Sequence, residues 1–349
     1  MTDFRDFLDL LNETLTTAIV VVASSMLLYN LSRNLRNRVA RASGFVLFCV
    51  TTAYISDVLF LLGPEQGVHV ALLRFQWVGL AFIPAATFHL SDALLDTTGL
   101  PSRGRRRRVT RILYTIAFAF LIQAAFSDRL IWTEIHSGGI SMRAGSTFWL
   151  YMAYFVPTNA VAFINVHRAR QRCLTRSTKR RMVYLEIAML MPGVGIFPYS
   201  VLMQPGDELS IGALMLVNVA NFTVVLTLLF LSYPLSFFGS EIPDRVVKSD
   251  LLRMMLLGPA TGLLALVVIL YTGPMTEWFS PLAETLMPFV VVAAILIWQW
   301  SVDIALPWLD RKLIYRDEDD AQLAKLDRLG ERLLTHTDMR QLMDAVLTT

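Results

Sequence analysis

Ionisable side chains stand inside several long apolar stretches of this sequence, where charge is costly and often marks a functional site. Asp57 and Arg74 lie in two consecutive apolar segments, close to the connection that joins them. One interpretation is an ion pair between adjacent helices. The other is that Arg74 extends to the lipid headgroups while Asp57 forms a local hydrogen bond. The sequence leaves both interpretations open.

A second group of ionisable residues is predicted at the opposite membrane surface. His89 and Asp92 are three residues apart, so a helix places them on one face, and Glu186 enters a later apolar segment at a comparable depth. A histidine beside carboxylates titrates near neutral pH, so this trio could sense protons or bind a cation. The sequence favours the alternative, in which Asp92 and Glu186 lie at the surface and face arginine-rich loops.

One apolar segment is interrupted between Pro192 and Pro198, which enclose two glycines. Prolines and glycines at this density should kink the helix and free backbone carbonyls at mid-membrane. Asn159, Asn218 and Asn221, from neighbouring segments, are candidate partners for those carbonyls. The pattern predicts either a pocket or hinge at this point, or polar contacts that only hold helices together.

No pattern in the sequence indicates a metal site, a cofactor or a catalytic motif. The histidines are scattered without an i,i+4 pair or a cysteine cluster, and G-x-S-x-G, P-loop and H-E-x-x-H motifs do not occur. We therefore expect no metal, no cofactor and no kinase activity from this chain alone. An enzyme acting on lipids remains an alternative, with Glu186, His89 and Asp92 as acid and base groups.

Composition places these residues in a membrane. The 349 residues are 55% hydrophobic and only 17% charged, against about 25% charged in soluble domains. We predict nine spans, each near the ~20 residues that a hydrocarbon core requires. They cover residues 14–31, 44–62, 72–95, 109–126, 147–166, 182–203, 209–233, 251–271 and 282–300. Since a backbone in lipid must satisfy its own hydrogen bonds, the predicted fold is an all-α polytopic bundle.

Basic residues alternate between the predicted connections. Of the 31 lysines and arginines, all lie on one side of the membrane except Arg5, Arg74, Arg129 and Arg143. The positive-inside rule then predicts an external N-terminus and a cytoplasmic C-terminus in the inner, or plasma, membrane. The Arg105–Arg108 run is interpreted as a topology anchor on anionic lipid, not a nucleic-acid site. The longest external loop, 127–146, is too short for a separate ligand-binding domain.

After the last span the sequence becomes charged and helix-forming. Leucines recur there at three- and four-residue steps on an otherwise polar helix, at Leu323, Leu326, Leu329 and Leu333. One apolar stripe of this kind is typical of a helix that pairs with a copy of itself or leads into another domain. We therefore predict a cytoplasmic linker or coiled-coil helix over 303–349 and a homodimer formed through it.

Two segments resemble parts of a known protein family. The segment FQWVGLAFIPAATFHL, residues 75–90, resembles the third helix of the seven-helix N-terminal sensor region of bacterial histidine kinases and diguanylate cyclases. The tail, WLDRKLIYR at 308–316 with LDRLGERLLTHTDMRQLM at 326–343, is similar to the linker helix that precedes a GAF domain in such kinases. The resemblance implies a sensor region over 10–235, two additional helices over 236–302, and the start of a missing output domain over 303–349.

The function expected from these features is that of an input region. It would pass a conformational change from the lipid bilayer to a cytoplasmic kinase or other output domain, and the full-length protein would then be a histidine kinase or a similar receptor. The alternative is a small-molecule transporter with its binding site at the broken sixth helix.

Overall fold

The computed structural model describes residues 2–33, 37–60, 65–100, 104–136, 139–173, 176–190, 195–199, 201, 210–235, 244–279 and 282–313. Almost all of this chain is helical. The helices are α1 Thr2–Arg33, α2 Arg38–Phe60, α3 Gln66–Thr97, α4 Gly104–Phe126, α5 Phe148–Gln171, α6 Arg176–Ala188, α7 Ile211–Leu235, α8 Asp244–Leu257, α9 Pro259–Phe279 and α10 Leu282–Leu313.

The predicted all-α polytopic membrane fold is confirmed. Within the described residues, 7 helices are long and apolar enough to cross a bilayer, and they correspond to seven of the nine predicted spans. These spans are Phe4–Ser32, Arg38–Phe60, Gln66–Thr97, Gly104–Phe126, Ile211–Leu231, Ser249–Ile269 and Phe289–Leu309. The fifth predicted span forms α5, which is 24 residues long but less apolar, and the sixth begins as α6, which has 13 residues.

Helix α3 lies at the centre of the bundle. In its apolar window 83% of the residues are buried, against 6% in the spans within α8–α9 and α10. It approaches α2 closely at Gly79, where a Cβ atom would lie 2.2 Å from the Cys49 carbonyl oxygen. Pro84 has no N–H, so the Leu80 carbonyl lacks its partner within the helix. The Tyr151 hydroxyl of α5 donates to that carbonyl at 2.9 Å.

Helix α1 contacts both the central helices of the bundle and the helices that come late in the chain. Along its first turns it packs against α7, where Asn218 Nδ2 donates to the Leu8 carbonyl at 3.0 Å. Further along it meets α9 so closely that a Cβ at Gly262 would lie 2.9 Å from Val21 Cγ1. A change in the position of α1 therefore alters its contacts with both α7 and α9.

The external loop predicted at 127–146 contains a β-hairpin. Strands β1 Ile131–His136 and β2 Gly139–Ala144 pair antiparallel, with Ile131 opposite Ala144. Gly145 follows β2 at a point where a Cβ would lie 2.1 Å from the Arg129 carbonyl oxygen, so only glycine fits there. Its N–H donates to the Leu130 carbonyl at 2.9 Å, which closes the base of the hairpin.

Helix α10 runs without a break from its apolar span to Leu313. Trp298 Nε1 donates to the Leu256 carbonyl at 3.1 Å, beside the junction of α8 and α9. The predicted output leucines, Leu323, Leu326, Leu329 and Leu333, lie outside the described residues. The predicted homodimer through that segment therefore stays a prediction.

Candidate functional site

A cavity of about 260 Å³ opens at the end of the bundle that carries the N-terminus and the hairpin. This is the end predicted to face outside the cell. Helices α1, α2, α3 and α7, the hairpin and the segment 195–199 enclose it, and we call it the outer cavity. Its polar lining is Asn12, Thr16, Tyr54, Asp57, Gln76, Trp77, Tyr199 and Asn221, and Met142 covers it from the hairpin.

Asp57 supplies the carboxylate of the outer cavity. Gln76 Nε2, from the facing turn of α3, donates to Asp57 Oδ1. The ion pair with Arg74, one of our two interpretations, does not form. Arg74 Nη2 donates instead to Asp128 Oδ1 at 2.8 Å, and Nη1 donates to the Ala125 carbonyl at 2.9 Å. Because Arg74 is held at the end of α4, its charge does not neutralise the cavity carboxylate.

A hydrogen-bond network crosses the floor of the outer cavity. The Tyr54 hydroxyl lies 3.1 Å from both the Gly195 carbonyl and Asn221 Oδ1 and shares its proton between these acceptors. Asn221 Nδ2 donates to Asn12 Oδ1 at 2.9 Å. Helices α1, α2 and α7 and the irregular segment are thus joined by one set of polar contacts. A ligand that displaces one member changes the contacts of the others.

The interruption in the sixth apolar segment lies beside this cavity. Helix α6 ends at Ala188, and Pro198 lines the outer cavity within the irregular segment 195–199. Pro192 lies outside the described residues. A carbonyl left free here, that of Gly195, is bound by Tyr54. Within the described part of the broken segment, a tyrosine of α2 is therefore the partner of this carbonyl.

The predicted asparagines have other partners. Asn218 binds the Leu8 carbonyl of α1, and Asn221 binds Asn12. Asn159 accepts a hydrogen bond from Thr87 Oγ1 at 2.9 Å, at the α3–α5 contact. Of the three, only Asn221 lines the outer cavity. The carbonyls of 191–194 lie outside the described residues, so the proposal that these asparagines are partners for carbonyls of the broken helix stays a prediction.

The trio predicted at the other membrane surface is not assembled. Asp92 is completely buried and bonds to Arg38 Nη2 at 2.7 Å, with Arg106 Nη1 at 3.3 Å. His89 Nδ1 lies 3.1 Å from the Tyr114 hydroxyl. Each side chain therefore has its own partners on α2 or α4.

Glu186, the third member of the trio, pairs with α5. Its carboxylate lies 2.7 Å from His167 Nδ1 and 2.5 Å from Arg170 Nη1. Asp92 and Glu186 thus each bond to arginines of the basic connections or the helix turns next to them, as the favoured interpretation proposed. The acid–base triad required for a lipid-modifying enzyme is not present in this geometry.

Several residues of the outer cavity were missed from the sequence. Tyr54, Gln76 and Trp77 are uncharged, so a search for costly charges does not select them. Gln76 and Trp77 do lie in the segment that carries the family resemblance, where a glutamine within an apolar helix is itself a signal. Trp77 Nε1 is buried in the cavity wall and, among the described residues, has no hydrogen-bond partner.

The outer cavity brings a carboxylate, amide side chains and aromatic rings around one concave space. Among the described residues, no group of three or more His, Cys, Asp or Glu side chains converges as a metal site requires. Comparison with known proteins gave no match: no family model, no curated protein and no solved structure is similar to this chain.

Proposed function

We propose that this protein is the sensory, signal-transducing membrane region of a receptor of the bacterial sensor-kinase type, which binds a small organic cation in the outer cavity. The observation that carries the proposal is the outer cavity, in which Asp57 is the one carboxylate among the described lining residues. One of the helices that enclose it, α1, also contacts α9. Its setting would be the plasma membrane, with the cavity open to the outside.

The charge of the lining favours a cation. Among the described residues that line the outer cavity, Asp57 is the carboxylate, and no lysine, arginine or histidine is present. The rings of Tyr54, Trp77 and Tyr199 supply aromatic surface beside it. Ammonium groups bind favourably to such rings and form charge-assisted hydrogen bonds with carboxylates. The volume of about 260 Å³ suits a molecule of few heavy atoms.

A contiguous set of contacts leads from the outer cavity towards the cytoplasmic end. Asn12 and Thr16 of the lining belong to α1. The same helix touches α9 where Val21 meets Gly262, and α9 packs against α10. Since packed helices shift as rigid elements, a ligand that moves α1 would displace α9 and α10.

The conformational change would reach the cytoplasm through the extension of α10. This helix continues past its span to Leu313 as a single element, which supports mechanical transmission. Residues 314–349 lie outside the described residues; we propose that they link α10 to a cytoplasmic output domain and carry the dimer contact.

A transporter is the second candidate, and one observation favours it. The irregular segment 195–199, which interrupts the sixth apolar segment, lines the outer cavity directly. Broken helices beside a binding site are typical of secondary transporters.

The two candidates are separated by two measurements with the same added ligand. With the protein in lipid nanodiscs, choline is added and hydrogen–deuterium exchange is followed in residues 303–313. The control ligand is the uncharged isostere of choline, in which carbon replaces the nitrogen. A sensor predicts altered exchange with choline alone and no uptake of labelled choline into proteoliposomes. Net uptake would establish the transporter instead, and no binding at all would remove both cavity-based functions.

A matched pair of variants tests the role of the carboxylate. Asp57→Asn removes the cavity charge, whereas Asp128→Asn removes a carboxylate whose side chain is 70% exposed and lies outside the lining. The quaternary ammonium of choline has no N–H, but its hydroxyl can donate to the carboxylate. A hydrogen bond to a charged group contributes about 1.5–3 kcal/mol, so choline affinity should fall about 10- to 150-fold in the first variant. The second should bind choline as the natural sequence does. Equal losses in both would mean that only surface charge attracts the cation.

A further inference from the structure

A second cavity, of about 420 Å³, lies at the opposite end of the bundle between α2, α3 and α4. We call it the inner cavity. It is lined by Arg38, Arg41, Phe45, His89, Arg107 and Tyr114. The arginines stand where α2 and α4 begin, and the remaining residues lie deeper along the helices. The inner cavity therefore has a cationic mouth and an aromatic interior.

The charges at this mouth are not all neutralised. Arg38 is held by Asp92 and Asp96, at 2.7 and 2.9 Å. Arg41 and Arg107 are exposed, and neither has an ion pair or a side-chain hydrogen bond to the described part of the chain. The guanidinium groups of Arg41 and Arg107 are therefore available to bind one ligand at this mouth. Arg38 is held beside them by its two ion pairs.

The interior of the inner cavity is suited to an amphiphile. Phe45 packs against Tyr114 with ring centroids 5.8 Å apart, and the His89 ring meets Tyr114 edge-on at 5.9 Å. His89 Nδ1 and the Tyr114 hydroxyl are 3.1 Å apart. This arrangement offers apolar surface for the start of an acyl chain, and beside it a polar pair that can form hydrogen bonds with ester oxygens.

We propose that the inner cavity is a specific site for an anionic phospholipid of the inner leaflet, with the lipid phosphate bound by Arg41 and Arg107. Guanidinium groups match phosphate oxygens in geometry and charge. Basic pockets between membrane helices on the cytoplasmic side bind such headgroups. This site is independent of the outer cavity and of the function proposed for it.

The test compares two variants that lose equal charge from the same membrane surface. Arg41→Gln with Arg107→Gln removes the unpaired cations of the inner cavity. Arg105→Gln with Arg108→Gln removes two arginines of the same run that do not line it. Each variant is delipidated in detergent and titrated with phosphatidylglycerol or phosphatidylcholine, and bound lipid is counted by native mass spectrometry.

Phosphatidylglycerol affinity should fall about thirty-fold in the first variant, from roughly five-fold for each arginine near a charged surface. The second variant should retain the affinity of the natural sequence. The natural sequence should also bind phosphatidylglycerol more tightly than phosphatidylcholine. Equal losses in both variants, or equal binding of both lipids, would overturn the proposal because either result means diffuse attraction to a surface.

A further experiment distinguishes a lipid-binding site from a site for free phosphate. Inorganic phosphate and glycerol phosphate are added in excess to the phosphatidylglycerol complex. Retention of the lipid supports the proposal, since the aromatic interior then contributes to binding. Displacement by inorganic phosphate alone would overturn the lipid assignment, because the arginines would then be a site for a soluble anion.

Discussion

Replacing Gly79 by alanine should separate two helices and weaken the outer cavity together with the fold. A Cβ at this position would lie 2.2 Å from the Cys49 carbonyl oxygen, 2.7 Å from Ala53 N and 2.8 Å from Thr52 Oγ1, whereas real Cβ atoms essentially never approach closer than 3.0 Å. Two of these atoms are backbone, so α2 itself must move by about 0.8 Å or more. No rotamer change relieves the clash.

The expected magnitude follows from two opposing effects. Overpacking of this kind lowers the unfolding free energy by about 1–3 kcal/mol. We expect a loss near the upper value because the backbone atoms cannot rotate away as a side chain can. Glycine in a helix interior is itself less favourable than alanine by about 0.5–1 kcal/mol. The net loss of unfolding free energy should be about 2 kcal/mol. For a chain of 349 residues, with an unfolding entropy of about 2.1 cal/mol/K per residue, that lowers the melting temperature by roughly 3 °C.

The assay is thermal unfolding in detergent, followed by intrinsic fluorescence, with Gly67→Ala as the control. Gly67 lies in the same helix, and outside its own helical turn no described atom lies within 4 Å of the Cβ that it would acquire. The control should melt at or above the temperature of the natural sequence. Choline binding should also weaken in Gly79→Ala alone, because widening the α2–α3 contact disturbs the bond between Gln76 and Asp57. If Gly79→Ala melts as high as the control, the close approach of α2 and α3 is refuted.

Three further predictions concern other parts of the molecule. Asp92→Asn should lower the unfolding free energy by about 3 kcal/mol, since it removes the charge of a completely buried carboxylate that pairs with Arg38. Asp96→Asn, whose side chain is 34% exposed, should cost at most about 1 kcal/mol; equal melting temperatures would contradict this. Trp298→Phe removes the hydrogen bond from α10 to the α8–α9 junction, about 1 kcal/mol, and should accelerate hydrogen exchange there; unchanged exchange would count against that contact. Burial raises the pKa of the Cys173 thiol above its ordinary value, so maleimide should label it more slowly than an ordinary thiol near pH 8 and faster as pH rises. If the predicted orientation is right, labelling occurs from the cytoplasmic side of vesicles and spares buried Cys49; labelling from outside would reverse the topology.

The sequence predicted parts of the candidate site because their signals are local. The interruption at 192–198 was visible from its prolines and glycines, and α6 does end at Ala188. Asp57 was selected because a carboxylate in an apolar segment is costly wherever that segment packs. The same reasoning could not find Tyr54 or Trp77, since neither side chain departs from an apolar helix pattern. They join the site only because α2 and α3 face each other across Gly79.

Partners across helices were the weakest part of the sequence interpretation. The predicted depth of Asp57 and Arg74 in the membrane left open whether they pair with each other. In the structure each has a different partner. Spacing placed His89 and Asp92 on one side of α3, yet one bonds to Tyr114 of α4 and the other to Arg38 of α2 and Arg106 of α4. A face of a helix is wide enough to meet two neighbours, so a shared face does not mean a shared site.

What the sequence determined by itself is that this chain is an all-helical membrane protein, because apolar length and the need to satisfy the backbone in lipid act on each segment separately. It also determined that one helix is broken, since proline and glycine act on the residues next to them. Only the tertiary structure decided that the broken segment, Asp57 and Asn221 surround one cavity, and that the arginines of α2 and α4 surround another. Those groupings depend on how the helices rotate and approach one another, which is set by packing between residues far apart in the chain.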